Sequence, residues 1–239
     1  MQEILRVMNV TKNFGGLTAL DDVNITLKDK EVLGLIGPNG AGKTTLINVI
    51  VGFYRPEKGR VFFNGEDITD SPPHIKALKG VARTFQLTKP FSNISVFDNV
   101  MIGALLRTDS LSAAREKTMR ALERTGLKEV SGVISKGLPT GVKKRLEIAR
   151  VLAMEPKVLC LDEVLTGLTP VEMDEILGLI RSLREDEGLS IMIVEHVVKA
   201  LMKGVDRMVV LSSGKVIAEG SPESVAKNPL VKEVYLGRG

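Results

Sequence analysis

The chain has a single cysteine among 239 residues, Cys160, so no internal disulfide can form and no cysteine metal cluster can be built. That thiol sits in the apolar run Val158 to Leu161, where it reads as a small buried side chain in a reducing compartment. No apolar stretch approaches the roughly 18 residues that a membrane-spanning helix needs. VLGLIG, IMIV and MVVL are all strand-length runs, so any membrane role must come through partners. Met1 to Val10 carries Glu3 and Arg6 and has neither the apolar core nor the cleavage site of a signal peptide, so the chain is expected to stay in the cytoplasm. Internal repeats and low-complexity linkers are also missing, which predicts one folded unit over residues 1–239. The formal charge of +4 is a modest excess that reads as a solvated exterior and implies no nucleic acid.

What is present begins with the 44% of hydrophobic residues, enough for a substantial core. Strand-like segments come first, at Ile4 to Val10, Val23 to Leu27 and Glu31 to Ile36, broken by Gly15-Gly16 and the charged turn Lys28 to Lys30. A glycine-rich turn follows, then a predicted helix from Lys43 to Val51 and a strand around Arg60 to Phe63. From Ser92 to about Arg150 the period becomes helical, with Leu111, Met119, Leu122 and Leu127 spaced among charges. Alternation then resumes: strand Val158 to Leu161, helix Pro170 to Glu185, strand Ser190 to Val194, helix Val197 to Lys203, strand Arg207 to Leu211. The pattern predicts an α/β fold with a mainly parallel core sheet, an N-terminal β region and a helical insertion.

The chemistry starts at Gly37-Pro38-Asn39-Gly40-Ala41-Gly42-Lys43-Thr44-Thr45, a P-loop between a predicted strand and a predicted helix. Glycines let successive N–H groups curl toward one centre, and the helix N-terminus adds its positive dipole end, a concavity suited to a polyphosphate. Lys43 would bridge the outer phosphates, Thr44 would ligate Mg²⁺ and Thr45 can reach the α-phosphate. Leu161-Asp162-Glu163 ends an apolar strand with two acids. Alternate strand positions point to opposite sides, so Asp162 can face Mg²⁺ through water while Glu163 orients or deprotonates the attacking water.

With these motifs in order, the chain resembles the ABC ATPases over nearly its whole length. The resemblance implies a P-loop NTPase fold, with residues 1–86 and 156–239 as catalytic core, an antiparallel β region near the N-terminus and a helical subdomain over about 87–155. Ala82-Arg83-Thr84-Phe85-Gln86 resembles the Q-loop, making Gln86 a sensor of Mg²⁺ and the attacking water. Ile193-Val194-Glu195-His196 resembles the switch strand, so His196 would hydrogen-bond the γ-phosphate and the catalytic water. Phe14 matches the aromatic that stacks on adenine. His74 lies in no such motif and reads as structural.

The strings VARTFQLTKPFSNISVFDNV, RLEIARVLAMEPKVL and KEVYLG are most similar to ATP-binding subunits of branched-chain or related polar amino-acid importers. Such a subunit, peripheral on the inner face of the cell membrane, would pair with a second ATPase subunit and with transmembrane permease subunits, and would act indirectly with a solute-binding protein. Cofactors implied are ATP and Mg²⁺. A non-transport ABC ATPase or a weakly catalytic nucleotide switch stays open as an alternative.

One stretch departs from the family. Where the LSGGQ signature is expected, ahead of a helix from Lys143 to Ala153, the chain has Leu138-Pro139-Thr140-Gly141-Val142. Pro139 removes the serine hydroxyl and one N–H that would cover the γ-phosphate of the other subunit, while Gly141 and the helix terminus remain. Val164, Thr169 and Val197 also replace usual residues near the expected dimer interface. Losing those contacts would slow one site by roughly tens to hundreds. A heterodimer with an intact partner signature is therefore favoured over a homodimer.

Overall fold

The computed structural model describes residues 2–84, 90–196 and 201–236. Two sheets stack around the helix that follows the glycine loop. The first is antiparallel and contains β1 (Glu3–Phe14), β2 (Leu17–Lys28), β4 (Lys58–Phe63) and β5 (Glu66–Asp67), in the order β2-β1-β4-β5. The second contains β3 (Val32–Ile36), β6 (Val81–Arg83), β7 (Val158–Asp162), β8 (Ser190–Glu195), β9 (Arg207–Ser212) and β10 (Lys215–Gly220), in the order β10-β9-β3-β8-β7-β6. Its pairings are parallel except β9 with β10.

Side-chain alternation divides the parallel strands between two cores. Leu33, Leu35, Val158, Cys160, Met192, Val194, Val209 and Leu211 face the layer shared with the antiparallel sheet, together with Leu46, Ile47, Val49 and Ile50 of helix α1 (Lys43–Ile50). Val32, Ile36, Leu159, Leu161, Ile191, Ile193, Met208 and Val210 face the opposite core. Burial on both faces explains why these strands read as continuous apolar runs.

Helix α2 (Pro73–Lys79) precedes β6, and the expected helical stretch between β6 and β7 is present as α3 (Val96–Ala104), α4 (Leu111–Arg124) and α5 (Thr140–Leu152). Helix α6 (Pro170–Glu187) joins β7 to β8, and α7 (Pro222–Lys227) and α8 (Pro229–Leu236) follow β10. Two expectations shift. β1 and β2 are 12 residues each, longer than read, because their ends are half-exposed hairpin arms with little apolar signal. α5 begins at Thr140 and not at Lys143, since Pro139 sets an extended N-cap that lets the next residues turn. Most of the helix expected at Val197 to Lys203 lies outside the described residues.

Candidate functional site

The C-terminal ends of β3, β7 and β8 meet at one edge of the parallel sheet, the usual place for a ligand in such folds. The glycine loop leaves β3 there. A side chain at Gly37 would put its Cβ 2.1 Å from the Leu211 carbonyl oxygen, and Gly42 adopts φ 101 with Ala19 O 2.5 Å from such a Cβ, so neither position admits another residue. Gly42 caps α1 with no side-chain hydrogen bond and no acid in the first turn, so the N–H groups of that turn keep their capacity for an anion. Lys43 is buried and its Nζ donates to the carbonyls of Gly37 at 2.6 Å and Pro38 at 2.9 Å. Burial lowers its pKa, opposed by the nearby Glu163, Asp162 and Glu195 carboxylates. Thr44 and Thr45 fall in the first turn of α1, half-buried, with Asn39 and Gly40 exposed at the loop tip and Ala41 buried beneath it.

The opposite end of α1 is closed by a residue that sequence reasoning did not single out. Lys76, fully buried on α2, donates to Val49 O at 3.2 Å and Ile50 O at 3.0 Å, placing a cation at the negative end of the helix dipole. Burial pushes its pKa down to about 8.

Asp162 ends β7 at 1% exposure. Its Oδ2 accepts from Arg83 Nη2 at 2.9 Å, its N–H donates to Thr84 Oγ1 at 3.1 Å, and its Oδ1 is buried with no hydrogen-bond partner among the described residues. Burial raises its pKa, with the Arg83 charge opposing. Arg83 also donates to Asn48 Oδ1 on α1 and to Thr84 O, so one guanidinium joins the loop helix to the acidic strand end. Strand alternation, from which the two acids were expected to diverge, does not extend to Glu163. β7 stops at Asp162 and Glu163 turns left-handed at φ 51, an uncommon conformation for a non-glycine residue. Its N–H donates to Val194 O at 2.9 Å, and its carbonyl accepts from Lys144 Nζ on α5 at 2.8 Å.

Beside them, Glu195 at the end of β8 is 1% exposed and accepts from Leu165 N at 2.8 Å, its pKa raised by burial. His196 follows, with Nδ1 3.8 Å from Glu195 Oε2 and without a hydrogen-bond partner among the described residues. Gln86 lies outside the described residues, as does Val197. Phe14 closes β1 rather than lying in a loop, and its half-exposed ring meets Tyr54 edge-on with centroids 5.1 Å apart. Tyr235 on α8 brings a buried phenol, pushed up to about 12 by desolvation, against the Gly37 backbone without closing a hydrogen bond.

The signature-like stretch sits at the N-terminus of α5. Leu138 is buried, Pro139 is the N-cap with no side-chain hydrogen bond, and Thr140, Gly141 and Val142 form the first turn. The Glu172 carboxylate covers Gly141, with Oε1 2.6 Å from where a Cβ would stand. Thr169 caps α6 in a reciprocal box with Glu172, whose hydrogen bonds hold its pKa low. The departure at Thr169 thus has a structural use.

A glycine loop feeding a helix at the carboxyl edge of a parallel sheet, with an acid-tipped strand alongside, defines a P-loop NTPase of α/β class. The family described as ABC transporter matches residues 20–166, and residues 215–239 match one described as branched-chain amino acid ATP-binding cassette transporter. The chain is 36% identical to the high-affinity branched-chain amino acid transport ATP-binding protein BraF of Pseudomonas aeruginosa over 98% of each chain. It is 38% identical to the probable branched-chain amino acid transport ATP-binding protein LivG of Archaeoglobus fulgidus, over 98% of this chain and 96% of that one. The ADP conformation of MJ1267, an ATP-binding cassette of an ABC transporter, superposes with a TM-score of 0.91 at 33% identity and covers 100% of both chains. The chain belongs to the ABC transporter family of ATP-binding cassettes.

Proposed function

We propose that this chain hydrolyses ATP to drive a membrane transporter of the branched-chain amino-acid import class. The observation that carries the reading is the convergence on the bare N-terminus of α1 of one buried ammonium, Lys43, and the two acids Asp162 and Glu163. The names of the relatives and the match over residues 215–239 support the amino-acid class.

The loop amides of Gly40 to Thr45 bind the phosphates, and Lys43 leaves its carbonyl partners for the outer ones. Phe14 stacks on adenine. Thr44, Asp162 and Gln86 would hold Mg²⁺, and the buried Asp162 Oδ1, without a hydrogen-bond partner among the described residues, fits that assignment. When bound there, Mg²⁺ would supply neutralisation of phosphate charge. Glu163 orients or deprotonates water, with His196 fixing the γ-phosphate side of the pocket. Leu138, Pro139, Thr140, Gly141 and Val142 face the nucleotide of a second ATPase subunit. A homodimer would duplicate the weakened signature, so a heterodimer is favoured.

No helix among the described residues is long and apolar enough to cross a membrane. Like the transport subunits it resembles, the chain is placed in this reading at the inner face of the membrane, docked on permease subunits and acting only indirectly with a solute-binding protein. A groove of about 380 Å³ between α2 and the α3–α5 segment, treated as a helical subdomain, suits a permease helix. Exposed Phe53 and Ile102 contribute to its apolar lining together with Val51, Leu106 and Met154, and Arg83 also lines it. Glu163→Gln in the complex co-purified from membranes tests the chemistry. Turnover is expected to fall at least about 100-fold while ATP binding persists and closed dimers accumulate. Unchanged turnover would remove Glu163 from its role.

A further inference from the structure

The left-handed turn at Glu163 is held from an unexpected side. Glycine is the residue that normally tolerates such a turn, and a glutamate there persists only when its surroundings fix it. Three hydrogen bonds do so: Glu163 N to Val194 O, Thr166 N to Glu163 O at 3.3 Å, and Lys144 Nζ to Glu163 O at 2.8 Å. The first two come from the neighbouring strand and from the turn itself. The third comes from α5, 19 residues away in sequence. Lys144 is 5% exposed, so its ammonium is committed to this corner, where its charge also acts on the Asp162 and Glu195 carboxylates. It stands within the opening turns of the helix whose first residues, Thr140 to Val142, form the signature-like stretch.

We propose that Lys144 is a positioning residue for hydrolysis: it fixes the Glu163 peptide in its left-handed turn and so ties the chain's own carboxylate to the helix that faces the other subunit's nucleotide. The inference rests on the role given to Glu163 above. A movement of α5 on contact with the nucleotide across the interface is then transmitted by one charge-assisted hydrogen bond to the carboxylate of the opposite site. The two sites are thereby coupled through a backbone carbonyl and not through side-chain contact with either nucleotide.

The test compares wild type, Lys144→Met and Lys144→Arg in the complex co-purified from membranes. Steady-state ATPase kinetics are measured together with hydrogen–deuterium exchange of the segment 163–168. Lys144→Met is expected to lower kcat about tenfold to a hundredfold, with KM for ATP within about threefold of wild type and faster exchange in the segment. Lys144→Arg, which still offers donors to the carbonyl, is expected to keep kcat within about threefold. Should Lys144→Met fail to fold, Lys144→Gln carries the same expectation with a smaller loss. A methionine variant with wild-type kcat, or with unchanged exchange, would overturn the proposal, as would a loss confined to KM. Exchange needs no turnover, so it separates a missing peptide tie from failure of the hydrolytic reading itself, which an inactive wild-type complex would reveal.

Discussion

Two helix N-termini in this chain, both proposed to face nucleotide phosphates, are finished differently. At α1, a left-handed glycine precedes the helix, no acid occupies the first turn, a buried lysine stands at the mouth, and a second buried lysine closes the far end. At α5, a proline precedes the helix, no side chain caps it, and the Glu172 carboxylate already lies over Gly141. A phosphate approaching α1 meets amides and an ammonium. One approaching α5 meets the same dipole end beside a fixed negative charge. The contrast teaches that a helix terminus is only as good an anion site as the side chains that leave it uncovered.

The largest expected effect comes from stripping the better terminus. Lys43→Ala should weaken Mg-ATP affinity about 100-fold or more and abolish turnover, read by nucleotide titration and phosphate release; intact binding and turnover would end the P-loop reading. Next is repair of the poorer terminus. Pro139→Ser combined with Thr140→Gly and Val142→Gln should raise ATPase activity of the chain purified alone by roughly tens-fold. Fast turnover of the unmodified chain alone would instead erase the difference between the two ends. Smaller still is removal of the covering charge. Glu172→Gln keeps the α6 capping box, since glutamine serves in it, and should raise the same activity by about two- to fivefold.

The far end of α1 gives a pH prediction. Lys76 falls to about 8 in the folded protein from an ordinary 10.5, so between those values the unfolded chain holds a proton the folded chain has shed. Its contribution to stability therefore rises with pH across that window. Wild type should gain on Lys76→Met by roughly 3 kcal/mol between pH 8 and 10.5, checked by denaturant midpoints at each pH. A gap that does not change with pH would show that the ammonium is not desolvated.

The P-loop was legible because its chemistry is local: three closely spaced glycines, one lysine and two threonines that need only each other. The parallel strands were legible because burial on both faces leaves continuous apolar runs. What escaped reading is brought in by folding. Arg83 and Asp162 are 79 residues apart, and nothing in either neighbourhood announces their ion pair. Lys144 looks like one more helix-surface charge until α5 packs its second turn against the end of β7. Glu172 drew no notice in the sequence, and only the fold lays it over Gly141 while it closes the capping box of α6. The turn at Glu163 had no sequence signal, since a glutamate rarely takes that conformation.

The lone thiol has a practical consequence. Cys160 is wholly enclosed in the layer beneath α1, and burial pushes its pKa up to about 12, so reagents that attack thiolates will pass it by. The natural chain is in effect already blank for site-directed labelling. A cysteine introduced at exposed Asn39 or Thr140 would be the reactive one, and a pair of probes there would report the distance between the two ends with and without nucleotide.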